Sequence, residues 1–241
     1  MNTIIIGGGR FIDISAIVGP DVKPRAATIG LAVHHTAGGL VDVDANFSGT
    51  TEDEELAHIA AINAQHLANG WSCGFGYNAI AFASGRVYVV GRCAGQRAHV
   101  AKRNHELAGC AMAGDYSVEP PPPGCIAGVG RWVRAMWAEY GAGLPVMGHG
   151  QWALPGEGTA CPGAATSIAA ILDAAMEGDD MSELDDLRRD NAILTAGVRD
   201  AHRLLGVTQS FFEAAADQIS TQAKTFGAMI AAELRKWGEG E

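Results

Sequence analysis

Five cysteines in 241 residues, with no C-x-x-C pair among them, leave this chain without a disulfide framework. The odd set Cys73, Cys93, Cys110, Cys125 and Cys161 fits synthesis in a reducing compartment. Positive charge is scarce as well: 17 Lys and Arg stand against 27 Asp and Glu, a formal net charge of −10. The basic residues are scattered, so neither nucleic acid nor an anionic membrane surface has an electrostatic foothold. No apolar run approaches the length of a membrane span. The opening Met1-Asn2-Thr3-Ile4-Ile5-Ile6-Gly7 lacks a basic n-region, and its apolar stretch is too short for a signal peptide. Internal repeats are absent. What the chain does have is apolar material, 48% hydrophobic against 18% charged, enough for a packed core. At roughly 100–200 residues per domain, the length allows one main domain and an appendage.

Strands and helices alternate through the first three quarters. Residues 30–34 read as a short buried strand whose alternation sets His34 on the face opposite Leu31 and Val33. Thr51 and Glu54 form a capping-box pattern, and an acid-rich turn leads a helix to Gly70. Residues 76–83 and 86–90 predict a hairpin around Ser84-Gly85. Pro120 to Pro123 reads as a rigid loop. Val129, Trp132, Val133, Met136 and Tyr140 then fall at helical spacing over 126–140, and a further helix is predicted from Ala164 to Met176. The expectation is an α/β domain over residues 1–178, a mixed central sheet flanked by helices.

Composition changes after Glu177-Gly178-Asp179-Asp180, and no proline follows. Leu184, Leu187, Asn191, Leu194, Val198, Ala201 and Leu205 advance in steps of three and four, an a/d seam with Asn191 at an a position. The tail, 179–241, reads as an all-helical segment. It is either a coiled-coil oligomerisation or wall-targeting module, or an amphipathic hairpin folded onto the main domain.

Most of the eight histidines need no special role: His58 and His66 read as solvated helix positions, His105 as a loop residue. His34 and His149 differ. Each stands at the end of an apolar strand-like run, where an unpartnered imidazole is costly to bury. Cys161, followed by Pro162-Gly163, sits in a turn able to present a thiolate. Two imidazoles and a thiolate with a fourth position open is how a catalytic zinc is held, whereas structural zinc is closed by four protein ligands. A cysteine nucleophile is disfavoured, because no histidine–carboxylate pair adjoins Cys161 in sequence.

Six blocks stand in order along the chain. They are Val33-His34-His35-Thr36-Ala37; Trp71 with Gly76-Tyr77-Asn78; Gly85-Arg86-Val87-Tyr88 with Gly91-Arg92; Ala98-His99 with Asn104; Gly148-His149; and Thr159-Ala160-Cys161-Pro162-Gly163. In these the sequence resembles, over about residues 11–176, the zinc-dependent N-acetylmuramoyl-L-alanine amidases that include peptidoglycan recognition proteins and bacteriophage lysozyme-like amidases. The resemblance implies that His34, His149 and Cys161 bind one Zn2+. It implies Tyr77 and Thr159 as catalytic groups that stabilise the reacting carbonyl, and His99 and Asn104 as substrate-binding residues of the glycan-peptide groove. The implied activity is hydrolysis of the amide between N-acetylmuramic acid and L-alanine in bacterial peptidoglycan. The setting expected is a phage endolysin made in the host cytoplasm and acting at the wall after release, with homo-oligomer formation through the tail helices. The alternatives are a non-catalytic peptidoglycan-binding protein and a virion-associated or recycling amidase.

Two departures stand out. Residues 150–158 form a longer link between His149 and Cys161 than the family usually has. The glutamate that some relatives carry after the groove asparagine has no counterpart in Gly109-Cys110-Ala111-Met112, with Glu157 as a stand-in or simply an exposed loop acid.

Overall fold

Strand β3 (Gly30–His35) is hydrogen-bonded along both edges, which is why its residues are all buried and read as an unbroken apolar run ending in imidazoles. The computed structural model describes residues 2–19, 23–37 and 51–177. In it β3 lies parallel to β6 (Leu107–Met112) on one side and to β7 (Val146–Gly148) on the other. Beyond β6 come β4 (Ala79–Ala81) and β5 (Val87–Val89), then β2 (Gly9–Asp13) and β1 (Asn2–Ile6). The seven-stranded mixed sheet has the order β1-β2-β5-β4-β6-β3-β7.

Alternation along each strand sorts side chains onto two covered faces. Leu31, Val33, Ala79, Ala81, Val87 and Val89 pack beneath α3 (Pro123–Tyr140) and α5 (Ile168–Met176), where Trp132, Val133, Met136 and Ile171 complete the larger core. Ile80, Phe82, Tyr88 and Val90 face the other way and meet Ile59 of α2 (Glu52–Ala68). The short helix α1 (Ser15–Val18) closes that side with Val18. The expected mixed sheet flanked by helices is the observed architecture. The predicted tail of residues 179–241, with its a/d seam, lies outside the described residues.

Helix α2 begins as its sequence requires. Thr51 Oγ1 accepts from Glu54 N, and the Thr51 amide donates to Glu54 Oε2 at 3.0 Å. Glu55, one of the acids of that first turn, is fully buried. Its carboxylate accepts from Ser84 Oγ (2.5 Å), Arg86 Nε (2.6 Å) and the Tyr88 hydroxyl (2.6 Å), pinning the helix to the β4–β5 hairpin. Tyr88→Phe removes one of these charge-assisted bonds while keeping the ring. The expected cost is about 1.5–3 kcal/mol of folding stability in a urea titration. An unchanged midpoint would show that Ser84 and Arg86 satisfy the carboxylate alone.

His58 is buried, not solvated as expected, with its ring 5.8 Å from Phe82. His66 is partly covered by Trp71 at 4.3 Å and accepts from Gly76 N through Nδ1. All five cysteines are free.

Candidate metal centre

The parallel strands β3 and β7 both end at the same edge of the sheet, where open α/β sheets gather their functional groups. Val33 pairs with Gly148, so His34 and His149, the next residue along each chain, arrive side by side with ring centroids 4.7 Å apart. His149 opens the short helix α4 (His149–Trp152). Cys161 is folded back against this point: Gly150 N donates to Cys161 O at 2.9 Å. Gly148 makes that approach sterically available, since a Cβ there would stand 2.6 Å from Pro162 Cδ. The Cys161–Pro162 peptide is cis.

One donor atom from each of His34, His149 and Cys161 lies within 4.8 Å of the others. Cys161 Sγ is 3.6 Å from His34 Nδ1. Bonds of about 2.3 Å to sulfur and 2.0–2.1 Å to nitrogen at a tetrahedral angle would set two such donors about 3.6 Å apart. The donor set and this spacing fit a zinc ion with one position left for a reactant.

The electrostatics favour neutral donors. Burial, and then the neighbouring His99 and His149, push the His34 imidazole well below its ordinary value, so it offers a lone pair and no positive charge. Burial pushes the Cys161 thiol up to about 12. Both shifts oppose a thiolate–imidazolium pair, although the 3.6 Å contact resembles one. A cysteine nucleophile needs its pKa lowered to about 3.5–7.5, so Cys161 is unsuited to that role. A divalent cation reverses this balance, because a coordinating thiol loses its proton to the metal.

Tyr77 stands just before β4, its ring 5.3 Å from that of His34. Burial first, and Cys161 beside it, raise its phenol far above the usual range, so the hydroxyl keeps its proton and can donate. Thr159 is exposed, and its Oγ1 accepts from Cys161 N at 3.2 Å, which makes it a brace for the cysteine loop.

His99 does not line an open groove as expected. It is 5% exposed, and both its ring nitrogens are engaged. Burial holds it neutral, its pKa pushed down to about 3. Asn104 is half-buried, and its Oδ1 accepts from the backbone of His99 (3.0 Å) and Val100 (2.9 Å), so its carbonyl side is committed to the loop.

The long link after His149 is firmly seated. Trp152 is buried against Ala32 and Leu107 and donates to Leu31 O at 3.0 Å, with Arg103 over its ring. Glu157 pairs with Lys102 at 2.8 Å, a loop clamp outside the cluster of metal-type donors.

The family profile described as N-acetylmuramoyl-L-alanine amidase matches residues 25–164. Among solved structures, PGRP-SA of Apis mellifera aligns at 15% identity with a TM-score of 0.53, over 65% of this chain and 91% of that one. Drosophila peptidoglycan recognition protein SD aligns at 18% identity and 0.51, over 61% and 83%. Bumblebee PGRP-SA gives 19% and 0.51, over 65% and 90%. At such identities the likeness shows the fold. No curated protein matches the chain.

Proposed function

The chain belongs to the N-acetylmuramoyl-L-alanine amidase family, and from that premise we propose that it cleaves the amide joining the lactyl group of N-acetylmuramic acid to L-alanine. We read His34, His149 and Cys161 as the ligands of one zinc ion. The observation that carries this reading is the 3.6 Å contact of Cys161 Sγ with His34 Nδ1, with a donor atom of His149 within 4.8 Å of both residues' donors.

The chemistry such an ion supplies when bound is Lewis acidity, which polarises a carbonyl and acidifies water. The chain's own groups supply the rest. Tyr77, held protonated, donates to the substrate carbonyl oxygen as that oxygen gains charge. Thr159 steadies the Cys161 amide and, being exposed, is accessible to a substrate. The clamped 150–158 link keeps His149 and Cys161 in register.

The wider setting we propose is a phage endolysin, made in the host cytoplasm and acting at the wall after release. Its tail would serve wall targeting or self-association. Support for the tail's role is the a/d pattern from Leu184 to Leu205 alone. Among the described residues, no helix is long and apolar enough to cross a membrane.

Mass spectrometry of digested peptidoglycan tests the activity. The expected products are stem peptides with a free L-alanine amino group and glycan strands with bare lactyl groups. Wall binding without either product would make the chain a recognition protein. Products cut within the peptide or the glycan would remove the assigned bond.

A further inference from the structure

His99 lies behind the proposed zinc ligand His34, the two rings perpendicular with centroids 5.2 Å apart. Its Nε2 is 3.1 Å from the carbonyl oxygen of Leu107, and its Nδ1 is 3.2 Å from His34 Nε2. With both rings neutral, the two contacts assign the protons. A carbonyl only accepts, so His99 Nε2 carries the hydrogen. A neutral imidazole carries a single N–H, so His99 Nδ1 is a bare lone pair and can only accept. What it accepts is the hydrogen on His34 Nε2. The bare nitrogen of His34 is then Nδ1, the atom that faces Cys161 Sγ.

We propose that His99 is a positioning residue for the metal site: it relays the Leu107 carbonyl through its ring and locks His34 in the tautomer that turns Nδ1 toward the metal. This rests on the zinc reading of the preceding subsection.

The fold is built around the relay. Leu107 and Gly109 both belong to β6, which pairs with the strand carrying His34 through Gly30–Leu107, Ala32–Gly109 and His34–Ala111. Gly109 leaves the space that the ring of His99 occupies, for a Cβ there would stand 2.6 Å from His99 Nδ1. Asn104 holds the backbone amide of His99 from the other side. Acceptor, space and loop anchor therefore share one rigid frame with the ligand.

Metal-binding histidines commonly donate their second N–H to a carboxylate, a carbonyl or water. An imidazole in that place adds no charge. With a single thiolate among the ligands, the site keeps a net positive charge, which a carboxylate would cancel.

The test compares zinc affinity, measured by competition with a chromophoric chelator, and the tautomer of His34, read from 15N shifts of the metal-free chain. His99→Leu removes the acceptor and should weaken zinc binding by about 10–100-fold. His34 should then lose its single Nε2–H form. His99→Asn places an amide oxygen near the position of Nδ1 and should recover most of the affinity. His99→Gln instead reaches toward Leu107 and should not. Gly109→Ala, which keeps both histidines but drives a methyl group into the space of the His99 ring, should behave like the leucine variant. If His99→Leu fails to fold, the asparagine and glutamine pair decides the matter, and equal affinities would overturn the relay. Wild-type affinity in His99→Leu with an unchanged His34 tautomer would overturn it too. Wild-type protein that takes up no zinc would remove the metal reading itself, and the relay's purpose with it.

Discussion

His149→Ala is expected to lose zinc and amide hydrolysis together while keeping its fold. The substitution leaves His34 and Cys161, two donors where a catalytic zinc needs three. Lewis-acid stabilisation is worth several kcal/mol, and at about 1.36 kcal/mol per tenfold its loss means at least a thousandfold in rate. The folding cost should be small, on the order of 1 kcal/mol, because His149 is half-buried at the mouth of a strand and belongs to none of the apolar clusters.

Thermal melts separate these effects. Zinc at a thousandfold excess over its dissociation constant stabilises a folded chain by about 4 kcal/mol. Wild type should therefore melt higher with zinc than without it, and His149→Ala should show a single melting curve under both conditions. Zinc content by atomic absorption and lactyl–alanine cleavage complete the comparison. Equal cleavage by both proteins would end the assignment of the centre.

The three donors of the proposed zinc site, His34, His149 and Cys161, were legible in the sequence because their residue types are rare at strand ends and because they fall in ordered blocks. Pairing then did the rest: Val33 opposite Gly148 puts the two histidines together without help from any loop. The contact of His99 with His34 was not legible, since it depends on which way a buried ring turns and on the space at Gly109. Glu55 was hidden for the same reason. An acid in a first turn reads as a helix-dipole partner until the hairpin carrying Ser84, Arg86 and Tyr88 is seen to close over it.

Element boundaries moved for local reasons. Helix α3 starts at Pro123, not at 126, because the last of four prolines takes the first helical position, where no amide hydrogen is needed. Helix α5 starts at Ile168, not at Ala164. Ser167 Oγ caps Ala170 N, and Ala165 N is already spent on Tyr116 O. Strand β6, Leu107-Ala108-Gly109-Cys110-Ala111-Met112, has small residues at its four central positions and little β character of its own. It is a strand because β3 and β4 pair with it from both sides. The β1–β2 hairpin did have a signal, Gly7-Gly8 between apolar runs, with φ of 48° and 79°.

Tyr77→Phe is the sharper probe of chemistry, because it removes one oxygen and leaves the ring among Phe75, His66 and His34. A donor that meets charge only as it develops contributes to the transition state alone. The variant should lose about 10²–10³ in kcat, or 2.7–4 kcal/mol. KM and zinc content should hold, since ground-state binding is untouched. The sign of any pH dependence follows from burial. With the phenol held above its ordinary value, the proton is present throughout neutral and mildly alkaline solution and is lost only at far higher pH. The ratio of wild-type to variant kcat should therefore stay flat over roughly pH 6 to 9. A raised KM with kcat intact would make Tyr77 a substrate-binding group, and a ratio that collapses toward pH 9 would mean that the phenolate forms within reach of neutrality. Unchanged kinetics would leave the oxyanion to the metal and the exposed hydroxyl of Thr159, and Thr159→Val would then carry the loss assigned to the tyrosine.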